Sequence, residues 1–278
     1  MIDLLSKAAE IFRTDPARNG NLLHFAGKGD LVIAGDLHNH LKNYAAILKY
    51  ANLAGNPGRM LLLQELIHGG MLGSSGEDLS FDMLADALAL VVKYPHRVHM
   101  ILANHDLAQV QKVAVMKDGM NLTERFNLNL RLQFHGEADS VLQAFVDFVR
   151  SMPLAAITVT GLLFTHSLPV TANLPTFDFN ILRRPIVEAD YLRTGSVYQL
   201  IWGRKQTPDV LQAISRKWWA DIFVCGHQQQ DEGFGIVPPN MLIIDSSHNQ
   251  GVLLHVELAK AYTVNDLAQA CIRLSDLR

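Results

Sequence analysis

Cysteine, charge of one sign and long apolar runs are all scarce in this 278-residue sequence. Its two cysteines, Cys225 and Cys271, belong to no Cys-x-x-Cys pair, which argues against a disulfide framework and a thiolate zinc site. The net charge of -3 gives no basic field for nucleic acid or an anionic membrane surface. No apolar run is long enough to cross a bilayer. We therefore expect a cytoplasmic protein that binds neither nucleic acid nor membrane.

Apolar residues, by contrast, are plentiful. They make up 49% of the chain, enough for a sizeable core, and we expect one domain over residues 1–278 with its core at about 31–257. The spacing of apolar residues predicts an amphipathic helix over residues 1–14 and a second helix over 263–276. The first of these does not have the pattern of a signal peptide.

Three apolar runs, at residues 31–34, 60–63 and 98–102, each lead into a polar loop and then into a helical pattern. Residues 107–151 are predicted to be mostly helical, 154–165 to form a hairpin and 168–195 to form a loop or lid. Further strands are predicted at 222–225, 241–245 and 252–257. Since open α/β sheets build their sites at the carboxyl ends of strands, the polar loops there are candidate site segments.

Five polar motifs follow these runs in order: GDLHNH, QELIHGG, ANHD, FTHS and CGHQQQ. Carboxylate and amide oxygens and imidazole nitrogens are ligands for hard or borderline divalent ions, and a shared carboxylate can hold two such ions about 3.5 to 4 Å apart. The pattern therefore predicts a site for two divalent metal ions. The candidate ligands are Asp36, His38, Glu65, Asn104, His166 and His227.

The order of the motifs also suggests roles. Asp36 and His38 would serve one metal, the last three ligands the other, and Glu65 would bridge. A water or hydroxide held between the metals would attack phosphorus. His105, beside Asn104, would protonate the leaving oxygen. These ligand types accept Mn, Fe or Zn, so the metal stays open.

Each motif has a simpler interpretation. Asp36 could cap the following helix, Asn104 could form an Asx turn, and Glu65 could be an exposed strand-end charge. His248 lies in a polar turn that explains it equally well. Five such motifs in series, each after a strand-like run, favour the metal site.

The motifs GDLH, NHD, LFTH and GHQ resemble those of the calcineurin-like metallophosphoesterase superfamily, over about residues 31–257. The resemblance is to the phosphoprotein-phosphatase branch, which includes serine/threonine phosphatases and dinucleoside tetraphosphatases. It implies an α/β metallophosphatase fold, in which two mixed β-sheets pack as a sandwich flanked by helices, with a dinuclear metal centre. In the run LIWGR it implies that Arg204 contacts phosphate.

One motif departs from the family pattern. Where the family has Gly-Asp-x-x-Asp-Arg-Gly, residues 64–70 read QELIHGG. Glu65 replaces the bridging aspartate with one more methylene. His68 replaces the carboxylate that orients the catalytic histidine, so that Asp106 is a candidate substitute partner. Gly69 replaces a phosphate-clamping arginine, which leaves that role to Arg204, with Arg183 or Arg184 as possible support.

These observations predict a metallophosphoesterase. Its partner would be a phosphorylated substrate, either a phosphoprotein or a small phosphoester, hydrolysed as a phosphomonoester. A dinucleoside tetraphosphate-type phosphoanhydride is the alternative substrate. A phosphatase-like binding protein with weakened catalysis is the alternative from another class, because His68 and Gly69 stand where the family has catalytic residues.

Overall fold

The fold is built from strand, loop and helix units, most of which the spacing of apolar residues predicts. A computed structural model describes residues 1–278. The strands are β1 (Arg18–Asn19), β2 (Leu22–Phe25), β3 (Asp30–Asp36), β4 (Arg59–Gln64), β5 (Val98–Met100), β6 (Met116–Lys117), β7 (Met120–Asn121), β8 (Ala155–Thr158), β9 (Leu162–Thr165), β10 (Ile222–Cys225), β11 (Phe234–Val237), β12 (Met241–Ile244), β13 (Val252–Glu257) and β14 (Cys271–Arg273). The helices are α1 (Ile2–Arg13), α2 (Leu41–Ala51), α3 (Ser80–Lys93), α4 (Asn104–Val110), α5 (Leu122–Phe134), α6 (Ala138–Val149), α7 (Glu188–Tyr191), α8 (Ser196–Trp202), α9 (Pro208–Trp218) and α10 (Val264–Gln269).

Two mixed sheets form the centre. The larger has the order β1-β2-β8-β9-β10-β12-β11, and the smaller β14-β13-β3-β4-β5. Strands β3, β4 and β5 run parallel, as do β9, β10 and β12. Because parallel neighbours end at the same edge of a sheet, the loops after them can meet in one site.

The central strand β3 of the smaller sheet is buried on both faces, as its alternate residues show. Leu31 and Ile33 belong to an apolar layer shared with the other sheet, including Phe164 and Val224. Val32 and Ala34 point to the opposite side, into the larger core that the helices cover. This alternation follows from the period of two along a strand. The predicted sandwich of two mixed sheets flanked by helices is confirmed.

The carboxyl edges of the two sheets are joined directly. The hydroxyl of Ser246, after β12, accepts a hydrogen bond from the backbone N–H of Gly35 at 2.9 Å. The N–H of Ser246 donates to the carbonyl of Asp36 at 3.0 Å. These contacts hold the ends of β3 and β12 together beside the candidate site. None of the helices has both the length and the apolar character needed to traverse a bilayer.

Two segments differ from the sequence predictions. The helix expected over 263–276 ends at Gln269, and Cys271–Arg273 form β14, because this segment pairs with the otherwise open edge of β13. The mostly helical stretch expected over 107–151 is interrupted by a small hairpin of β6 and β7. The single-domain organisation stays a prediction.

Candidate metal centre

The six predicted ligands lie at the carboxyl ends of five strands. Asp36 ends β3 and Glu65 directly follows β4, while His166 directly follows β9. Asn104 begins α4 after β5, and His227 lies two residues beyond β10. All except His38, which is half-buried, are buried. The structure therefore brings together side chains that are separated by up to 191 positions in the sequence.

The backbone around this cleft adopts an uncommon conformation. Four residues that line it have positive φ: His38 at 43°, Glu65 at 48°, His68 at 65° and His227 at 66°. For a residue with a Cβ, this left-handed region costs roughly 1–2 kcal/mol. Hydrogen bonds offset part of that cost, since the N–H groups of Leu37 and His38 both donate to the carbonyl of Glu65 at 3.0 and 2.9 Å. Strain of this kind concentrates at functional sites.

Four predicted ligands converge atom to atom. The Nε2 atom of His166 lies 2.7 Å from Oδ1 of Asn104 and 2.9 Å from Oε2 of Glu65. Oδ1 of Asn104 also lies 2.8 Å from Nδ1 of His227. The imidazole rings of His166 and His227 have their centroids 5.1 Å apart. Four ligand-type atoms are thus linked by contacts of 2.7–2.9 Å.

The tautomer of His166 shows that this cluster suits a cation. The amide of Gln64 donates through Nε2 to the carbonyl of Ala34 at 3.1 Å, so its Oε1 accepts from Nδ1 of His166 at 2.9 Å. The neutral ring then turns the lone pair of Nε2 toward the oxygens of Asn104 and Glu65. Oε2 of Glu65 receives no hydrogen bond, although it is buried. Buried acceptors that face one another call for a positive charge between them, and divalent ions supply it.

A second group of ligand atoms adjoins the first. The possible ligand atoms of Asp36, Glu65 and His166 lie within 4.8 Å of one another, and so do those of His38, Glu65 and His105. Glu65 is common to both groups, as expected of a bridge. The Nδ1 atom of His38 hydrogen-bonds the carbonyl of Ile67 at 3.1 Å, which leaves Nε2 as the free lone pair.

Burial perturbs the ionisation of these groups. Burial raises the pKa of Glu65 to about 8 and that of Asp36 to about 7, the latter against the attraction of His166. It lowers the pKa of His38 and of His166 to about 4. Neutral imidazoles are the form that binds metal, and carboxylates that are costly to ionise alone are stabilised by a cation. The donor set therefore fits divalent ions.

The local packing around Asp36 leaves no room for a larger residue at Gly226. A Cβ on Gly226 would lie 2.2 Å from Oδ1 of Asp36 and 2.9 Å from Oε1 of Gln64. The N–H of His227 can therefore reach both carboxylate oxygens of Asp36, at 3.0 and 2.9 Å. This contact ties β10 to β3 at the cleft.

His105 occupies the cleft beside these groups, and its neighbour is His68. The two Nδ1 atoms lie 3.2 Å apart, while the N–H of His105 donates to Oε1 of Glu65 at 3.1 Å. Burial, with the nearby histidines, holds the pKa of His105 well below its usual range. His68 is fully buried, and burial lowers its pKa to about 4. His68 thus lies beside His105, where the resemblance expects a partner.

Asp106 does not take that position. Its Oδ2 accepts a hydrogen bond from the N–H of Ala103 at 3.1 Å and so caps α4. It makes no hydrogen bond or ion pair with His105, because successive helical residues point about 100° apart. The interpretation of Asp106 as the orienting partner of His105 is therefore not supported by the geometry.

The predicted phosphate-binding arginines are separated in space. The guanidinium of Arg204 donates to the carbonyl of His227 at 2.9 Å, and its charge acts on Glu65 and His166. Arg184 instead binds Asp178 at 2.6 Å and Asp190 at 2.7 Å, within the loop that precedes α8. Arg204 is thus at the cleft, whereas the guanidinium of Arg184 is engaged elsewhere.

Three participants were missed at the level of the sequence. Gln64 hydrogen-bonds His166, and Gln109 hydrogen-bonds His68 at 2.8 Å. Lys117, on the β6–β7 hairpin, is close enough for its charge to help lower the pKa of His38. Gln109 could have been found from its spacing, since it lies four residues after His105 on the same helix. No feature of the neighbouring sequence marks Gln64 or Lys117 as site residues.

His248, in the polar turn after β12, hydrogen-bonds the carbonyl of Gln230 at 2.8 Å.

Comparison with curated proteins finds a probable serine/threonine-protein phosphatase of Encephalitozoon cuniculi, which is 24% identical over 229 residues. The match covers 78% of this chain and 46% of the relative, so this chain spans less than half of that protein's length.

Comparison with solved structures finds a serine/threonine phosphatase from Saccharomyces cerevisiae, described as similar to human phosphatase PP5. It has a TM-score of 0.69 at 15% identity and covers 92% of this chain and 81% of that one. A cold-active protein-tyrosine phosphatase from a psychrophilic Shewanella has a TM-score of 0.61 at 15% identity, with coverages of 90% and 80%. These likenesses establish the fold.

The family comparison goes further than the fold. Residues 30–245, which are well over half of the chain, match the sequence model of the calcineurin-like phosphoesterase family. The predicted resemblance and the prediction of a metallophosphoesterase are thereby confirmed at the level of the family. The chain belongs to the calcineurin-like phosphoesterase family.

Proposed function

We propose that this protein hydrolyses phosphomonoesters with two divalent metal ions. The observation that carries the proposal is that Nε2 of His166 lies 2.7 Å from Oδ1 of Asn104 and 2.9 Å from Oε2 of Glu65, while Nδ1 of the same ring is held by Gln64. The family match and the phosphatases among its relatives support it. The substrate class, the dinuclear centre, the metal and a cytoplasmic location remain parts of the proposal.

The proposal assigns the ligands by position. Asp36 and His38 hold one ion and Asn104, His166 and His227 hold the other. Glu65 serves both, since its carboxylate lies within 4.8 Å of ligand atoms of Asp36, His38 and His166. Ions bound there would lower the pKa of a coordinated water and polarise the phosphoryl oxygen. Gln64 contributes by holding His166 in the tautomer whose Nε2 is free.

His105 is proposed as the general acid. It is half-buried, and it lies at the edge of the ligand groups, with its ring centroid 4.8 Å from that of His38. From this position Nε2 can face a bound ester, because Nδ1 faces His68. The ring donates a proton from Nε2 in its imidazolium form, in which both nitrogens are protonated. A proton given to the leaving oxygen contributes roughly 10²–10⁴-fold to such a reaction.

Two cations are proposed to bind the phosphate. Arg204 is exposed at the cleft and anchored through the carbonyl of His227. Lys117 lies on the β6–β7 hairpin, and its charge acts on His38. We propose that Lys117 supplies part of the charge that the missing arginine at Gly69 would have provided. Lys117→Ala is expected to raise KM several-fold with little change in kcat.

The test uses purified protein that has been stripped with a chelator and reconstituted with Mn²⁺, with an aryl phosphomonoester as substrate. Hydrolysis is expected to require the metal and to fall by roughly 10²–10⁴-fold in His105→Ala. His24→Ala, a matched change at an exposed histidine of β2, is expected to keep the activity. Two bound metals without hydrolysis would favour the phosphatase-like binding protein, and cleavage of a dinucleoside tetraphosphate alone would favour the phosphoanhydride.

A further inference from the structure

His105 and Gln109 lie one turn apart on the same side of α4, and the imidazole of His68 lies between them. Nδ1 of His68 is 3.2 Å from Nδ1 of His105. Nε2 of His68 is 2.8 Å from Oε1 of Gln109. The amide of Gln109 continues the chain, since its Nε2 donates to Oδ1 of Asn127 at 2.8 Å. Four side chains therefore form one continuous line of hydrogen bonds that ends in the cleft.

The direction of this line fixes which nitrogens carry protons. Because Gln109 uses its N–H for Asn127, its Oε1 is the acceptor that remains for His68. His68 then carries its proton on Nε2, and its Nδ1 is a lone pair. That lone pair can accept only from Nδ1–H of His105. The Nε2 atom of His105 is left for the cleft, where it carries a transferable proton when the ring is an imidazolium.

Burial prevents water from replacing the hydrogen-bond partners of His68 and Gln109. His68 is 0% exposed and Gln109 1% exposed, so water does not reach either partner. The edge of Phe126 packs against His68, with ring centroids 5.7 Å apart. The N–H of His68 donates to the hydroxyl of Ser80 at 3.0 Å, which anchors its backbone. An imidazole N–H without an acceptor here would bear an uncompensated desolvation cost.

We propose that Gln109 is a positioning residue: it holds His68 in the Nε2–H tautomer, so that Nδ1 of His68 accepts a hydrogen bond from His105 and aims Nε2 of His105 into the cleft. The catalytic consequence rests on the proposed function, while the tautomer does not. In this chain a neutral histidine, fixed by an amide, performs the orienting task for which its family relatives use a carboxylate.

The tautomer can be measured without metal or substrate. Long-range ¹⁵N–¹H correlation spectra of the metal-free protein distinguish a protonated ring nitrogen from a lone-pair nitrogen. The wild-type spectrum is expected to show His68 with Nε2 protonated and Nδ1 free. Gln109→Met, similar in size but lacking the amide acceptor, is expected to mix the tautomers or shift them toward Nδ1–H. Gln109→Glu retains an acceptor and is expected to keep Nε2 protonated.

Gln111, two residues after Gln109 at the end of α4, offers a matched control. Gln111 donates to the carbonyl of Tyr191 at 2.6 Å and makes no hydrogen bond to His68. Gln111→Met is therefore expected to leave the His68 tautomer unchanged. Thermal unfolding of all variants reports whether the chain still folds, and Gln109→Glu distinguishes a lost acceptor from a lost fold.

Activity provides the second measurement. In the metal-reconstituted protein, Gln109→Met is expected to lower kcat roughly 10–100-fold with KM unchanged, and Gln109→Glu to recover most of it. A wild-type His68 protonated on Nδ1, or a His68 tautomer unaffected by Gln109→Met, would overturn the proposal. If neither the wild type nor any variant hydrolysed the substrate but the expected tautomers were observed, the proposed function would be refuted. The positioning of His105 by Gln109 and His68 would still be supported.

Discussion

Oε1 of Gln64 accepts a hydrogen bond from Nδ1 of His166 at 2.9 Å, and the same amide donates to the carbonyl of Ala34 at 3.1 Å. Gln64 thereby links the strand β3 to the orientation of a candidate metal ligand on the other sheet. Partners of this kind fix the tautomer and ring angle of a ligating histidine, and their loss commonly costs 10–100-fold in metal affinity.

Gln64→Leu is therefore expected to weaken divalent-metal binding by roughly 10–100-fold. The physical reason is that His166 loses the acceptor that places its lone pair toward Asn104. Calorimetric titration of the chelator-stripped protein with Mn²⁺ measures the change. Gln206→Leu, at another buried glutamine, is the control. An unchanged affinity in Gln64→Leu would show that His166 is oriented by its packing alone.

Glu65 is the one candidate ligand that belongs to both ligand groups. Glu65→Gln removes its negative charge but keeps its length, so we expect the bound metal to fall below two ions per chain. Glu65→Asp keeps the charge and shortens the side chain by a methylene, so we expect weaker binding with two ions still attainable. Elemental analysis after dialysis against Mn²⁺ gives the stoichiometry. Two tightly bound ions in Glu65→Gln would contradict the bridging role.

The candidate ligands could be predicted from the sequence because each lies at the end of an apolar run or within four residues after it. Asp36 and His166 illustrate this, since the strand itself delivers the side chain to the edge of the sheet. The roles of Gln64 and Gln109 could not be predicted in this way. A glutamine has no preference that marks it as a partner of a histidine, and its role depends on contacts between residues 102 and 41 positions apart.

The fold, like the site, could be predicted from the sequence only in part. Strands that contain a clear apolar run, such as β3, were predicted, whereas β1, β2, β6, β7, β11 and β14 were not. Four of these, β1, β6, β7 and β14, have two or three residues each, too few for a period of two to be visible. Their state is decided by the sheet edge available to them, which is a tertiary property. Adjacency in the sequence also does not imply a common direction on a helix, and the carboxylate of Asp106 accordingly bonds the N–H of Ala103 rather than His105.

Gly69 stands where the family has an arginine, but the backbone here does not accept one. A Cβ at Gly69 would lie 2.5 Å from the carbonyl oxygen of His38. Gly69→Arg is therefore expected to lower the melting temperature and weaken metal binding at His38, rather than to improve phosphate binding. Gly136→Arg, where a Cβ meets nothing within 4 Å, is the control. A Gly69→Arg protein with full metal content and a lower KM would show that the loop backbone can move enough to place an arginine in the cleft.

Asp190 fixes the loop before α8, and its contribution depends on pH. Its carboxylate accepts hydrogen bonds from both terminal nitrogens of Arg184 at 2.7 Å and from the N–H of Val187 at 2.8 Å. The bonds from Arg184 lower the pKa of Asp190 below its usual value. A carboxyl whose folded-state pKa is depressed stabilises the fold above its unfolded-state pKa, near 3.9, and loses that contribution as the pH falls through the folded-state value.

Asp190→Asn is accordingly expected to lower the free energy of unfolding by about 1 kcal/mol at pH 7, with the difference shrinking as the pH falls below about 4. Urea unfolding at a series of pH values measures it. Asp231→Asn, at an exposed carboxylate without an ion pair, is expected to have little effect at any pH. A destabilisation by Asp190→Asn that stayed constant into the acid range would assign the effect to packing of the loop rather than to the charge on Asp190.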